Sequence, residues 1–350
     1  MQNLPFVNVV IPCRNEKNFI TKCLDCIVGQ DYPKDKLEIL VIDGMSNDGT
    51  REIIKKYMEQ YPFIKMLDNL KKIVPTAMNI GIKYAKGDII VRMDAHSEYP
   101  KDYISKIIYW FDKSDADNIG GILITKPGAD TLIAEAIALV LSSPFGVGNA
   151  YYKIGVKEPK YVDTVPFGAY RKELFDKIGL FDEELIRNQD DELNLRLLKQ
   201  GGKILLVPEI VSYYYARDSL LKLWKMYFQY GYWKIRVIQK HKLPSSWRHL
   251  VPSIFLLTIF GTFILGIFNP ICFYILGTII GIYLIISMFF SLRISLKKGL
   301  KYFIILPLVF GTLHFAYGFG FLKGIWDFVI LKKHKKKTIE DVPLTRWIHV

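Results

Sequence analysis

Four short runs of apolar, often β-branched residues punctuate the first third of the chain: 6–11 (FVNVVI), 37–43 (LEILVID), 88–94 (DIIVRMD) and 119–124 (IGGILI). Each has the length and composition of a buried strand. Between them, stretches near 17–29, 48–61, 75–85 and 100–112 repeat apolar residues at helical spacing. This alternation predicts an α/β domain whose mostly parallel sheet is flanked by helices on both faces. Ligands of such sheets bind beyond the carboxyl ends of the strands. The polar residues that follow the runs are therefore the candidates for chemistry: 12–16 (PCRNE), 43–50 (DGMSNDGT) and 94–96 (DAH).

The pattern changes after residue 217. Positions 218–242 mix Trp, Tyr and Phe with Lys and Arg on one helical repeat, a composition suited to the headgroup level of a bilayer. Two uncharged runs follow, 250–268 and 271–292, separated by Asn269 and Pro270. At about 1.5 Å per residue each is long enough to cross a hydrocarbon layer of about 30 Å. A third apolar stretch, 302–331, is interrupted by Pro307, Gly311, Gly318, Gly320 and Gly324 and carries His314 and Lys323. The cations of the connecting stretch, Arg293, Lys297, Lys298 and Lys301, place it in the cytosol by the positive-inside rule. The same rule favours a cytosolic tail at 332–337 (KKHKKK): either the third stretch re-enters as a bent hairpin, or it crosses once and the rule is violated. The expected organisation is a cytosolic catalytic domain at 1–217, an interfacial helix region at 218–249, a transmembrane region at 250–331 and a basic tail at 332–350 in a multi-pass protein of the cell membrane.

Composition narrows the function classes. The 350 residues are 51% hydrophobic and carry a net charge of +13, too apolar for disorder or for an ordinary soluble enzyme. The basic residues flank apolar segments instead of forming a stripe, which points to membrane lipid and away from nucleic acid. Cys23 and Cys26 have no second pair for zinc, and their spacing suits the inner face of a helix, so they are expected as reduced core residues. The opening MQNLP has neither a basic region nor a cleavage site, and no signal peptide is expected there.

Asp43 ends an apolar strand beside small polar residues and glycines, where it can accept hydrogen bonds from a base or ribose. Asp48 suits a helix cap. Asp94 and His96 alternate, so in an extended stretch both point to one side and can ligate one cation. A divalent metal there would bridge two phosphates of a nucleotide. The literal Asp-x-Asp at 115–117 precedes its strand and reads as a solvated loop. At 189–192 Asp190, Asp191 and Glu192 open a helix, and its dipole accounts for one of these acids but not for three.

Taken in order, PCRNE, VIDGMSNDGT, GDIIVRMDAH, PFGAYRKELF and QDDELNLRL resemble a family 2 glycosyltransferase with the GT-A fold, over about residues 6–240. RMDAHSEYP most resembles the succinoglycan-biosynthesis-type subgroup. The resemblance implies a nucleotide-sugar donor, usually a UDP-sugar, a Mg²⁺ or Mn²⁺ ion, and inversion at the anomeric carbon. It assigns Pro12, Arg14, Glu16, Asp43 and Asp94 to the donor, Asp94 and His96 to the metal, and Asp190 to the general base. Asp191 would then cap the helix and Glu192 support the base. Gly168 and Ala169, with Gln229 and Trp233, fall beside the acceptor; Trp233 also suits a membrane-interface anchor. Gln189 stands where the family pattern has Glu, and Tyr232 where processive synthases have Arg. The expected activity is transfer of one sugar to a hydroxyl of a polyprenyl-diphosphate-linked saccharide. Alternatives are a polyprenyl-phosphate glycosyltransferase, a processive polysaccharide synthase and, outside enzymes, an inactive membrane scaffold.

Overall fold

The structure, a computed structural model, describes residues 4–335. The chain forms two compact units, one running up to Ile124 and resuming over Tyr151–Tyr215, the other comprising Thr125–Ala150 and the described residues from Ala216 on. The chain passes between the units three times, because a 26-residue excursion leaves the first unit and returns to it.

In the first unit the chain runs β1 (Val7–Cys13), α1 (Ile20–Val28), β2 (Leu37–Asp43), α2 (Thr50–Gln60), β3 (Ile64–Asp68), α3 (Val74–Tyr84), β4 (Ile89–Arg92), β5 (Ser97–Glu98), α4 (Tyr103–Lys113) and β6 (Asn118–Lys126). The excursion contributes α5 (Leu132–Leu141) and α6 (Pro144–Val147) to the second unit. The first unit resumes with α7 (Tyr151–Ile154), β7 (Lys160–Tyr161), β8 (Ala169–Arg171), α8 (Leu174–Ile178), α9 (Gln189–Lys199) and β9 (Ile204–Tyr215).

The strands make one sheet of order β3-β2-β1-β4-β8-β6-β9-β5, with β7 on β9. Its first half is parallel, as the alternation predicts. From β4 onward the ladders β4–β8, β8–β6, β9–β5 and β9–β7 are antiparallel. The sheet is mixed, not mostly parallel. Both faces are covered: Val9, Ile11, Ile39 and Val41 pack with α1 and α4 in one core, while Val10, Leu40, Ile42 and Ile90 pack with α3, α8 and α9 in another. Cys13 and Cys23 lie in the first core as free thiols. Burial pushes both well above the ordinary thiol range, which removes them from redox chemistry.

The second unit gathers α5 and α6 with α10 (Leu220–His241), α11 (Val251–Phe268), α12 (Ile271–Lys298) and α13 (Ile305–Gly324), which continues as a π-helical turn over Ile325–Ile330. Among the described residues three helices are long and apolar enough to cross a membrane: Trp247–Phe268, Ile271–Lys298 and Ile305–Ile330. The last is one continuous helix, so of the two courses left open for this stretch it does not take the bent hairpin. Pro307 sits in its first turn, where a missing N–H costs nothing. The glycines serve packing instead. A Cβ on Gly320 would collide with the Phe228 carbonyl, one on Gly324 with the Tyr232 carbonyl, and one on Gly231 with the Tyr317 carbonyl, so α10 and α13 touch backbone to backbone. The basic tail lies outside the described residues from 336 on.

This packing predicts that Gly320→Val, which forces a branched side chain into a backbone contact, destabilises the detergent-solubilised protein by about 1–3 kcal/mol. Gly311→Val, in the same helix but with no atom within 4 Å of its Cβ position, is expected to leave the thermal unfolding midpoint unchanged.

Candidate active site

Pairing of Cys13 with Asp43 brings the loops after β1 and β2 out of the sheet side by side. They are laced together. Asn15 N donates to Ser46 Oγ at 2.8 Å, Asn47 N to Asn15 Oδ1 at 3.0 Å, and Glu16 N to Thr50 Oγ1 at 2.9 Å. Asn15 and Met45 both take left-handed φ values, 53° and 59°, a strain that persists only where surrounding contacts fix it. Arg14 lies against Gly44, where even a methyl group would crowd its stem. Pro12, Arg14 and Glu16, the residues expected at the donor, are half-buried along this cradle.

Asp43 is fully buried, and the partner its position demands is Arg51. Arg51 Nη1 donates to Asp43 Oδ2 at 2.5 Å and to Asp68 Oδ1 at 2.8 Å. Ser46 supplies its hydroxyl to Asp43 Oδ1 at 2.5 Å and its N–H to Oδ2 at 3.0 Å. Both carboxylate oxygens are thus engaged by the chain itself, which fixes the shape of the cradle. The capping position of α2 falls to Gly49, while Asp48 braces the same turn by accepting from Thr50 N at 3.0 Å and Lys17 N at 3.2 Å.

β4 stops at Arg92, and residues 94–97 form a turn closed by Ser97 N donating to the Asp94 carbonyl at 3.2 Å. The extended geometry expected for Asp94 and His96 is therefore absent. The alternation applies one step earlier, to Arg92 and Asp94: Arg92 Nε donates to Asp94 Oδ1 at 2.9 Å and Nη2 to Oδ2 at 3.3 Å. His96 turns to Glu16, with Nδ1 3.2 Å from Oε1, and meets the ring of Tyr214 edge-on. A carboxylate and an imidazole suit Mg²⁺ or Mn²⁺ in donor type. Among the described residues no three His, Cys, Asp or Glu side chains converge as a ready cation site. The residues fit a metal whose shell is completed by the phosphates of a nucleotide.

α9 opens at Asn188, left-handed at φ 61° and making no side-chain cap. The N–H of Asp191 donates to Asp190 Oδ1 at 2.9 Å, so Asp190 braces the helix start. Glu192 is buried in a forked pair with Arg196, at 3.1 and 2.7 Å, and Arg196 runs on to the Leu180 carbonyl at 2.8 Å. Gln189, beside the acid, is buried with its Oε1 unpartnered. Burial alone would lower the Arg92 guanidinium, and the charges of Asp94 and Asp190 overcome this to hold it above its usual range. The sequence reading passes over Arg92, which holds Asp94 in a fork. Its signal was the two-residue spacing from Asp94.

The four expected acceptor residues fall in different units. Gly168 and Ala169 lie in the sheet interior, where a Cβ on Gly168 would meet Asn118 and Tyr170, and Ala169 is fully buried. Gly168 instead accepts from Arg92 N at 3.1 Å. Gln229 and Trp233 belong to the second unit and are buried in α10, Trp233 against Phe328 and Tyr232 and not at an exposed interface.

Comparison with known proteins follows the geometry. The profile described as "Glycosyl transferase family 2" matches residues 8–179. A dolichyl N-acetyl-α-D-glucosaminyl phosphate 3-β-D-2,3-diacetamido-2,3-dideoxy-β-D-glucuronosyltransferase of Methanococcus voltae is 32% identical over 328 residues, 91% of this chain and 97% of the relative. The succinoglycan biosynthesis protein ExoA of Rhizobium meliloti is 26% identical over 91% of this chain and 95% of its own length. In fold, the chain resembles a mannosyltransferase of Pyrobaculum calidifontis solved with GDP-mannose and Mn²⁺, with a TM-score of 0.62, 19% identity, and 93% of this chain and 88% of that one covered. Laced strand-end loops, a mixed sheet and a relative matched nearly end to end agree: the chain is a glycosyltransferase of family 2 with the GT-A fold.

Proposed function

We propose that this enzyme moves a single sugar from a nucleotide-sugar, in the first instance a UDP-sugar, to a hydroxyl of a saccharide carried on a polyprenyl phosphate or diphosphate, with inversion. The observation that carries the reading is that acids come from two separate segments, Asp94 just past β4, forked by Arg92, and Asp190 in the first turn of α9. An inverting displacement needs a base for the incoming hydroxyl and a counter-charge for the departing diphosphate, from different segments of the chain. Asp190, at the head of α9, receives the hydroxyl proton. Asp94 and His96, past the end of β4, hold the cation, which when bound supplies positive charge to the leaving diphosphate. The loops after β1 and β2 cradle the nucleoside.

The acceptor class draws on the Methanococcus relative, whose name gives as acceptor a sugar already borne on dolichyl phosphate. That favours a saccharide hydroxyl over a bare lipid phosphate. The three long apolar helices support a multi-pass membrane protein, and the cations at 293–301 support a cytosolic catalytic unit.

Asp190→Asn keeps the shape of the side chain but removes the base, so transfer is expected to fall by about 10²–10⁴ while UDP affinity barely changes. Asp191→Asn should be much milder; equal losses would put the base elsewhere. Chelation with EDTA should abolish transfer, and Mn²⁺ or Mg²⁺ should restore it. In calorimetry Mn²⁺ should bind appreciably only when UDP is present, since no group of three or more candidate ligands occurs among the described residues. Carbonate washing of membranes should leave the protein in the pellet, and its release would disprove the spans.

A further inference from the structure

The end of the third apolar helix holds a buried acid that no step of the transfer uses. Asp327 lies in the π-helical turn Ile325–Ile330, its side chain only 4% exposed. Its Oδ2 accepts from Tyr232 Oη of α10 at 3.1 Å. Its Oδ1 meets two ammonium groups, Lys323 Nζ from one helical turn earlier and Lys333 Nζ from just beyond the helix, each at 2.8 Å. A buried carboxylate needs one compensating charge; the second is surplus. Because both nitrogens touch one oxygen, they stand no farther apart than twice that distance, and they repel each other. Lys332 takes a left-handed φ of 51°, a strain that persists only where surrounding contacts fix it, and Lys333 directly after it returns to the acid.

The surplus charge faces outward. The side chains of Lys323 and Lys333 are 45% and 38% exposed, while the carboxylate behind them is sealed. An ammonium carries three donors, and only one on each lysine is directed at Asp327 Oδ1. A ligand with two anionic oxygens on one centre can bridge the pair, cancelling both the surplus charge and the repulsion between the nitrogens. Tetrahedral phosphate has that form. The cluster also sits where a helix long and apolar enough to cross a membrane gives way to a basic segment, the kind of position at which cations meet lipid phosphates.

We propose that Lys323 and Lys333, braced on Asp327, bind the phosphate of a membrane lipid. That lipid is either the isoprenoid carrier of the acceptor saccharide or an anionic phospholipid. Only the first source rests on the proposed acceptor; the binding itself depends on neither the base nor the metal.

The test is calorimetric titration of the full-length protein, in an uncharged detergent, with farnesyl phosphate and with farnesol as the neutral control. The phosphate is expected to bind at least about tenfold tighter than the alcohol, the scale of a charge-assisted hydrogen bond. Lys323→Gln and Lys333→Gln should each weaken it by about tenfold. Neither should lower the thermal unfolding midpoint, because the remaining lysine still neutralises Asp327; if one variant does not fold, the other carries the test. Lys323→Arg, which keeps the charge, should bind as the unaltered protein does. Competition with dihexanoylphosphatidylglycerol assigns the source: displacement at equal concentration identifies an anionic phospholipid, and failure to displace identifies the isoprenoid carrier. Equal affinity for farnesyl phosphate and farnesol, or unchanged affinity in both Gln variants, overturns the proposal and leaves the lysines as counter-charges to Asp327 alone. Since binding is read without turnover, a protein that binds the phosphate but transfers no sugar overturns the proposed function and leaves this site standing.

Discussion

A carboxylate buried at the end of a strand must find a counter-charge within the fold, and the organisation of this site follows from that constraint. β2 and β4 flank β1 in the sheet, and each leads into an acid, Asp43 and Asp94. Arg51 answers the first and Arg92 the second. Removing one partner of such a buried pair costs about 3–5 kcal/mol, because the survivor is left charged and dry. Stability therefore fixes the acids in place before any donor arrives. The 12–16 loop emerges between two rigid walls, and polar groups set in advance need no reorganisation when charge develops on a leaving group.

Much of the first unit was legible because its strands carry their own signal. β1, β2, β4 and β6 fall on the apolar runs within a few residues, and the helices between them follow their periodicity. What escaped is defined by partners and not by pattern. β5 and β7 have two residues each and β8 has three, too few to display alternation, and β9 carries Pro208 in its middle. Those strands turn a parallel sheet into a mixed one. At the site, the motif acids could be named from the sequence, but their arginine partners could not. Arg51 reaches back eight residues to Asp43 from the first turn of α2, and Arg92 reads as one more residue in an apolar run. Small residues such as Gly168 and Ala169 suit a ligand surface in sequence, and they suit the crowded sheet interior in which they lie equally well.

The second unit inverts the usual meaning of glycine. In a soluble chain the five interruptions of 302–331 read as breaks. Among apolar helices there is little hydrophobic gain from association, so contact depends on how closely backbones approach, and the smallest side chain becomes the most adhesive. Gly231, Gly320 and Gly324 are the contact points of α10 and α13, and Ser287, Ser291 and Ser295 form a comparable small-residue ridge buried on α12. Excess cost from breaking a helix is avoided because the Gly backbones stay hydrogen-bonded within their own helices.

Chain connectivity then joins the two kinds of packing. β6 runs out of the catalytic sheet into α5, whose apolar ten residues are too short to cross a bilayer. That helix is tied within the second unit by Glu135, which accepts from Tyr302 Oη at 2.6 Å and Lys301 Nζ at 2.9 Å. Farther along the excursion, the Phe145 carbonyl lies 2.9 Å from His314 Nε2, and Asn149 Oδ1 accepts from Arg248 at 2.9 Å. The chain re-enters the first unit at Tyr151 and soon forms β8, the strand paired with β4. The excursion thus leaves the catalytic sheet from β6 and leads back to it through α7 and β7, while its middle is pinned among the long apolar helices.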